Sequence, residues 1–339
     1  MKRPPLVSVV IPMRNESGWI ERCLASVLAQ DWPHDAMEIL VVDGMSNDGS
    51  YDAVVRMSQS DPRIRTFKNP RLIVPSSLNI AIEAARGEII ARVDAHTVLE
   101  PDYITSGVEI LERTHADNVG GPMVCRGGGL VGEAIATAMR SRFGIGAYFH
   151  FATEEREADT VYMGMWPRDV FARVGLFDEE LVRNQDDEFS YRIRKAGGRI
   201  VVSPRMRSSY QNRTSWRALA RQFYQYGLWK VRVLQKHPAQ MSVRHFVPPG
   251  FDAGIVFALV TGHGLRALAL TAVAAYAAFV LLVGAAEGKP GNRLRTALAL
   301  SILHHSWASG FLVGLVRFAP RWLKSDPPAR RLTAGAQAS

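Results

Sequence analysis

Three short segments of this chain carry residue types from which a reaction centre can be built: Asp43-Gly-Met-Ser-Asn-Asp48-Gly49-Ser50, Asp94-Ala95-His96 and Gln185-Asp186-Asp187-Glu188. The first follows the apolar run EILVV. A carboxylate at such a turn can accept hydrogen bonds from a base imide or a ribose hydroxyl, while Asp48, Gly49 and Ser50 supply the turn and the N-cap. The same stretch reads equally well as a plain strand-to-helix loop. In the second segment, Asp94 and His96 stand two apart, so on an extended chain they point the same way and can face one divalent cation. One aspartate and one histidine do not make a cage; phosphate oxygens of a ligand and water would have to complete it. The competing reading is a capping aspartate beside a surface histidine. In the third, acidic residues at a helix start gain from the helix dipole, which explains them structurally. Crowded carboxylates also raise one another's pKa, which suits a general base that must take a proton from a hydroxyl.

The elements that must hold these segments read as an α/β domain with a largely parallel sheet from Val7 to about Val124. Strands are predicted at Val7 to Ile11, Glu38 to Val42, Ile64 to Phe67, Glu88 to Val93 and Asn118 to Val124. Between them, Ile20, Cys23, Leu24, Val27 and Leu28 recur at helical spacing, as do Leu78, Ile82 and Ala85 after Pro75. Asp43 and Asp94 each end a strand, and residues just past the carboxyl ends of parallel strands line the ligand crevice of an open sheet. Gly127-Gly128-Gly129 marks a loop but lacks the spacing of a dinucleotide or Walker fingerprint.

The chain has 339 residues, 47% of them hydrophobic, which excludes a disordered protein and leaves room for about two domains. Its two cysteines, Cys23 and Cys125, cannot build a disulfide framework, so a reducing compartment is expected. Charge is polarised along the chain. Residues 1–188 carry 19 Lys and Arg against 29 Asp and Glu, a balance of −10, whereas residues 189–339 carry 22 against 3, a balance of +19. Between Phe189 and Phe251 there are 13 basic residues and no carboxylate, which suggests contact with phosphate of a nucleic acid, a lipid headgroup or a nucleotide. Ala267 to Ala286 holds twenty residues without a charge, about 30 Å as a helix, and is predicted to cross a bilayer. Thr296 to Val316 is a second candidate whose His304, His305 and Trp307 must face another helix or the interface. Phe246 to Leu265, broken by Pro248, Pro249, Asp252 and Gly262-His263-Gly264, reads as an interfacial or re-entrant piece, which with the basic flanks favours an even number of crossings.

The series VSVVIPMRNE, VVDGMSNDGS, ARVDAH, GLFDEELVRNQDDEFSYRIRKAGGRI and RQFYQYGLWK, in this order, resembles glycosyltransferase family 2, and within it the succinoglycan-type glucosyltransferases of bacterial exopolysaccharide assembly. The likeness covers residues 5 to about 240. It implies an α/β class and a GT-A nucleotide-diphospho-sugar transferase fold with a mostly parallel central sheet, followed by C-terminal membrane-associated helices. The implied division is a catalytic domain over 1–240, membrane helices over 241–318 and a polar basic tail over 319–339.

On that resemblance Pro12, Asn15 and Glu16 would line the nucleotide pocket and Asp43 would hold the uracil of a UDP-sugar. Asp94 and His96 would fill the family's Asp-x-Asp slot, contacting ribose and a Mg²⁺ or Mn²⁺ cofactor on the diphosphate. Asp186 would be the catalytic base, Arg221 and Gln222 would lie near the diphosphate or acceptor, and Tyr162, Gly164 and Trp166 are offered as an acceptor wall, an ordinary buried aromatic being the competing reading. His96 replaces the family's second Asp and Gln185 the Glu before the base. The Gln-x-x-Arg-Trp signature of processive synthases is absent, since Gln211-Asn-Arg-Thr-Ser-Trp216 has another spacing, which favours one sugar per encounter. The implied reaction is inverting and metal-dependent: one glucose passes from UDP-glucose in β linkage, with β-1,3 the linkage of the related enzymes, to a polyprenyl-diphosphate-linked saccharide. It would take place at the cytoplasmic face of a bacterial inner membrane. Galactose, N-acetylglucosamine or rhamnose donors are the alternative. No nucleic acid is expected as a partner, because Trp216, Phe223, Tyr224, Tyr226 and Trp229 at helical spacing read as packing residues rather than base-stacking platforms. A catalytically silent scaffold with the same fold is opposed by the intact Asp43, Asp94 and Asp186.

Overall fold

The structure, a computed structural model, describes residues 3–144, 148–212, 214–324 and 329–332, so the tail expected over 319–339 lies partly outside the described residues. In chain order the elements are β1 (Val7–Met13), α1 (Ile20–Leu28), β2 (Met37–Asp43), α2 (Ser50–Ser60), β3 (Ile64–Lys68), α3 (Val74–Ala84), β4 (Ile89–Arg92), β5 (Thr97–Leu99), α4 (Tyr103–Thr114) and β6 (Asn118–Gly121). Then come β7 (Val124–Arg126), α5 (Gly129–Arg140), β8 (Arg156–Glu157), β9 (Tyr162–Pro167), α6 (Asp169–Val174), α7 (Gln185–Lys195), β10 (Ile200–Val202) and β11 (Ser208–Gln211). Four helices close the described chain: α8 (Trp216–Lys236), α9 (Val247–Thr261), α10 (His263–Glu287) and α11 (Arg293–Arg317). The chain divides into two compact units, residues 1–124, 147–210 and 327–339 in the first and residues 125–146 and 211–326 in the second. In this grouping α5 and α8 fall with the C-terminal helices.

The first unit is built on an eight-stranded sheet ordered β3-β2-β1-β4-β9-β6-β10-β8. Strands β3, β2, β1 and β4 run parallel; β1, β2 and β4 are buried on both faces, as suits inner strands of a parallel sheet, while β3 (IRTFK) is a partly exposed edge. Antiparallel β9 lies between β4 and β6, β10 runs parallel to β6, and the short β8 is antiparallel to β10. Register aligns Met13 with Asp43 and Val10 with Arg92, which brings the carboxyl ends of β1, β2 and β4 to one edge. Pro12, which has no N–H to give, sits two residues past the last β1–β4 pair, Val10 with Arg92. The strand predicted from Asn118 to Val124 is interrupted: Pro122 cannot donate to a ladder, and β6 stops at Gly121 after a register shift against β9.

One core cluster of this unit carries α7. Phe189 is fully buried, stacked on Phe171 at 5.2 Å and 15°, with Phe177 at 4.5 Å and Trp166 at 5.9 Å. Residues 329–332 return to this unit: Leu176 N–H donates to the Arg330 carbonyl at 2.6 Å, and Arg330 pairs with Glu83 at 2.7 Å.

In the second unit α11 packs on α8 through glycines. A Cβ at Gly227 would lie 2.1 Å from the Trp307 carbonyl oxygen, and one at Gly310 would lie 2.0 Å from that of Tyr224, so small residues here let two helix backbones approach. α10 and α11 are long and apolar enough to cross a membrane, over Gly264–Glu287 and Arg293–Arg317, whereas α9 is shorter. Leu268, Leu270 and Leu282 of α10 are exposed by about two thirds. The histidines of α11 face other helices as expected. Tyr276 pairs with His304 Nδ1 at 3.0 Å, His304 Nε2 contacts the Phe143 carbonyl at 2.7 Å, and His305 pairs with Asp252 at 2.9 Å.

Candidate active site

The loops after β1 and β2 are stitched together by the polar residues singled out in the sequence. Asp43, only 3% exposed, accepts from the Ser46 N–H at 3.1 Å and from the Ser46 hydroxyl. Ser46 in turn accepts from the Asn15 N–H at 2.9 Å, and the Asn15 side-chain oxygen accepts from the Asn47 N–H at 3.0 Å. Glu16 N–H donates to the Ser50 hydroxyl at 2.7 Å, and Ser17 N–H donates to Asp48 at 3.0 Å. Asn15 and Met45 hold left-handed backbone, φ 56° and 57°, at the tips of the two loops. Burial works to raise the Asp48 pKa, but the hydrogen bonds from Ser50 and Ser17 outweigh it and lower it to about 2. Gly49 rather than Asp48 is the N-cap of α2, and Asp48 instead accepts from the Ser50 N–H at 3.0 Å.

The chain after β4 does not stay extended. It turns at Asp94, where Thr97 N–H donates to the Asp94 carbonyl at 2.9 Å, so the shared direction expected of Asp94 and His96 on a strand does not arise that way. His96 Nδ1 meets Glu16 at 3.1 Å, which joins this turn to the loop after β1, and its ring rests edge-on against Tyr210 at 5.1 Å. The Asp94 N–H donates to the sulfur of Met163 at 3.5 Å. Met163 reaches it from left-handed backbone, φ 62°, followed by Gly164 at φ 99°, where β9 shifts register against β6.

Arg92 connects this turn to α7. Its side chain, 8% exposed, lies in an otherwise apolar strand; Nε donates to Asp94 at 2.8 Å, and Nη1 stands 4.0 Å from the nearer oxygen of Asp186. That Nη1 is buried without a hydrogen-bond partner. The protein crowding Asp186 withdraws water and raises its pKa; Arg92 opposes the rise and Asp187 adds to it. The side chain is nevertheless 48% open. Glu188, two residues on, has 2% exposure and is held by Arg192, at 2.7 Å to Nε and 2.9 Å to Nη2.

The sequence expectations therefore fall into three groups. Asn15, Glu16, Asp43, Asp94, His96 and Asp186 are linked by a chain of contacts that runs through Ser46 and Arg92, with Pro12 just inside the same sheet edge. Arg221 and Gln222 lie on α8 in the second unit, Arg221 exposed and Gln222 donating to the Tyr226 hydroxyl at 3.0 Å. The residues offered as an acceptor wall are buried. Trp166, 3% exposed, is part of the aromatic core, Tyr162 is buried with its hydroxyl 2.7 Å from Thr97, and a Cβ on Gly164 would strike Trp166 at 2.4 Å, so these three residues pack the interior of β9. Arg92 and Met163 were missed. The signal for Arg92 was a lone charge inside a buried strand; no sequence signal marks Met163.

Residues 8–175 match the family model described as glycosyl transferase family 2. The chain carries a glycosyltransferase family 2 domain. The transferase is 29% identical over 320 residues to the succinoglycan biosynthesis protein ExoA of Rhizobium meliloti, covering 92% of this chain and 96% of that one. It is 26% identical over 267 residues to a dolichyl N-acetyl-glucosaminyl phosphate diacetamido-dideoxy-glucuronosyltransferase of Methanococcus voltae, covering 76% and 82%. Among solved structures it is similar to the mannosyltransferase PcManGT of Pyrobaculum calidifontis in complex with GDP-Man and Mn²⁺, at a TM-score of 0.64 and 20% identity, covering 92% and 88%. It is also similar to residues 1–349 of S. aureus TarS, at a TM-score of 0.51 and 17% identity over 93% and 92%. The fold is thus GT-A, the enzyme is a glycosyltransferase, and its relatives place it in polysaccharide or glycan assembly.

Whether the transferase could seat a divalent cation is tested by its donor set. Among the described residues no group of three or more His, Cys, Asp or Glu is placed to hold a metal. Asp94 and His96 offer one carboxylate and one imidazole in a single turn, which suits a cation that brings its own phosphate and water oxygens and excludes a closed protein cage.

Proposed function

We propose that this transferase moves one sugar from a UDP-sugar, glucose by the resemblance of its motifs to the succinoglycan-type glucosyltransferases, with inversion to a β-glycoside, onto a lipid-diphosphate-linked saccharide in exopolysaccharide assembly. The observation that carries the reading is the placement of Asp94 and Asp186 on either side of Arg92, 2.8 Å and 4.0 Å from its guanidinium. Two carboxylates on separate elements then address one small volume, one on the nucleotide side and one free to meet an incoming hydroxyl. Asp43 and Asn15, fixed through Ser46, are proposed to receive the base and ribose, with Pro12 and Glu16 beside them. Asp94 and His96 are proposed to hold Mg²⁺ or Mn²⁺ on the diphosphate; bound there, the cation would offset the negative charge that the leaving group develops.

Asp186 is proposed to accept the proton of the acceptor hydroxyl as its oxygen attacks the anomeric carbon from the face opposite the diphosphate. Its raised pKa makes it a better base than an ordinary surface carboxylate, and its half-open side chain leaves access for the hydroxyl. Glu188 is ill placed to act as the base, since both its oxygens are committed to Arg192. The apolar, outward-facing residues of α10 and α11 support a membrane location, and the catalytic domain is proposed to face the cytoplasm, where UDP-sugars are made. Arg221 and Gln222 are proposed to approach the diphosphate or acceptor. Membranes containing the protein, incubated with a panel of UDP-, GDP- and TDP-sugars and a polyprenyl-diphosphate galactose, should extend the glycolipid with one β-linked residue from UDP-glucose. Asp186→Asn should stop extension while UDP still binds. Substantial turnover in that variant removes Asp186 from the role of base; growth only on free sugars removes the lipid acceptor.

A further inference from the structure

Two arginine nitrogens among the described residues are buried without a hydrogen-bond partner, Nη1 of Arg63 and Nη1 of Arg92. Arg63 is paired with its sequence neighbour Asp61, which accepts from both Nε and Nη2, and nothing else converges on it. Arg92 differs. β4 is paired on both edges, to β1 and β9, so the backbone that carries Arg92 cannot drift. Its Nε is fixed on Asp94, whose backbone N–H is in turn held by Met163 from the strained bend of β9. What is left is a rigid guanidinium with one unspent donor pointing at Asp186, at 4.0 Å, a gap longer than a hydrogen bond. A buried arginine with an idle N–H is costly to keep, and a core strand could carry an aliphatic residue at that position instead.

We infer that Arg92 is a positioning residue, which sets the separation between Asp94 on the donor side and Asp186 on the acceptor side and whose Nη1 closes on the Asp186 carboxylate when the site is filled. The inference rests on the proposed role of Asp186 and adds to it the part that holds the base in line. A planar fork suits such a role, because one edge grips Asp94 while the other stays available to a second carboxylate, a geometry that a lysine cannot reproduce.

The test uses the full chain in membranes or detergent, with Arg92→Met, Arg92→Lys and Asp186→Asn compared for turnover and for affinity towards UDP. Misplacing a reacting group by about 1 Å costs on the order of 10²-fold in rate, so Arg92→Met should lose about that much in kcat while its UDP affinity changes by less than about tenfold. Millimolar guanidinium chloride should restore part of the lost kcat in Arg92→Met and none in Asp186→Asn. Arg92→Lys, which keeps the buried charge and guards against a misfolded Met variant, should fold, bind UDP and turn over slowly. Wild-type turnover in either Arg92 variant overturns the inference. So does a parallel loss of UDP binding and kcat without guanidinium rescue, which would make Arg92 a merely structural charge. Substantial turnover in Asp186→Asn would instead sink the assignment of the base, whatever the Arg92 variants do.

Discussion

Phe189 lies one helical turn beyond Asp186, and its ring anchors the start of α7 in the core. It is fully buried, with Phe171, Phe177 and Trp166 at centroid distances of 5.2, 4.5 and 5.9 Å. Removing the ring altogether, as in Phe189→Ala, is expected to cost about 3–5 kcal/mol in transfer and cavity terms, a large part of a total stability of about 5–15 kcal/mol. Phe189→Leu keeps most of the volume and gives up the aromatic pairings, each worth about 0.5–1.5 kcal/mol, so it should lose about 1–3 kcal/mol and remain folded. The melting temperature should then fall by roughly 3–10 °C. Well below that temperature, kcat should drop by on the order of tenfold or more, because the first turn of α7 loses its anchor, while UDP affinity holds, since Asp43 and Asn15 sit on other elements. Differential scanning fluorimetry gives the first number and a glycolipid extension assay beside UDP titration the second. A destabilised Phe189→Leu with unchanged kcat would refute the idea that this aromatic core places the base.

Protein crowding raises the pKa of Asp186, so the folded chain prefers the neutral acid; that preference adds stability below the ordinary carboxylate range and is lost as pH rises through the raised value. Asp186→Asn should therefore melt above wild type at neutral pH and lose the advantage in acid, and the acid limb of wild-type kcat should lie above an ordinary aspartate's; a melting difference of the opposite sign counts against the shift. Gly121→Ala would put a Cβ 1.7 Å from the Met206 carbonyl oxygen, so the variant should fail to accumulate or should lose more than about 4 kcal/mol, read from expression level and thermal melts. Carbonate washing should leave the protein in the membrane fraction, whereas Leu282→Arg, at a position 71% exposed on α10, should weaken retention; release of wild type into the wash would mean that α10 and α11 do not span.

The parallel half of the sheet is legible because β1, β2 and β4 are short, mostly apolar, buried runs, and Asp43 and Asp94 mark the ends of β2 and β4. The long apolar helices α10 and α11 are legible for a similar reason, about twenty uncharged residues in a row being a local property. What escapes a reading of the chain is whatever depends on pairing between distant segments. Pro122 could be seen, but not that it would divide Asn118 to Val124 into two strands, since the register shift there is set by β9. Trp166 is buried because its ring packs against Phe171, Phe177 and Phe189, a cluster drawn from separate elements that the sequence around it does not announce. The grouping of α8 with α11 rests on Gly227 and Gly310 meeting opposite backbones, a match no single helix announces. Asp94 and Asp186 are 92 positions apart in sequence, and only the fold reveals that one arginine stands between them.

The charge count around the two arginines, Arg92 and Arg192, explains why Asp94, Asp186 and Glu188 cannot be interchangeable. Arg192 spends its whole guanidinium on Glu188 and on the carbonyls of Val174 and Leu176, so Glu188 is neutralised within α7 and serves to fix the helix to the preceding loop. Arg92 is shared, giving one positive charge to two carboxylates. Asp94 and Asp186 therefore retain an excess of negative charge, and a diphosphate entering beside them would be repelled unless it carried a cation of its own. Asp186 has no private salt bridge to Arg92, which under the proposed mechanism leaves it able to take a proton. A single shared arginine thus orders Asp94 through a full hydrogen bond and approaches Asp186 at 4.0 Å, which under the proposed mechanism leaves the base unquenched.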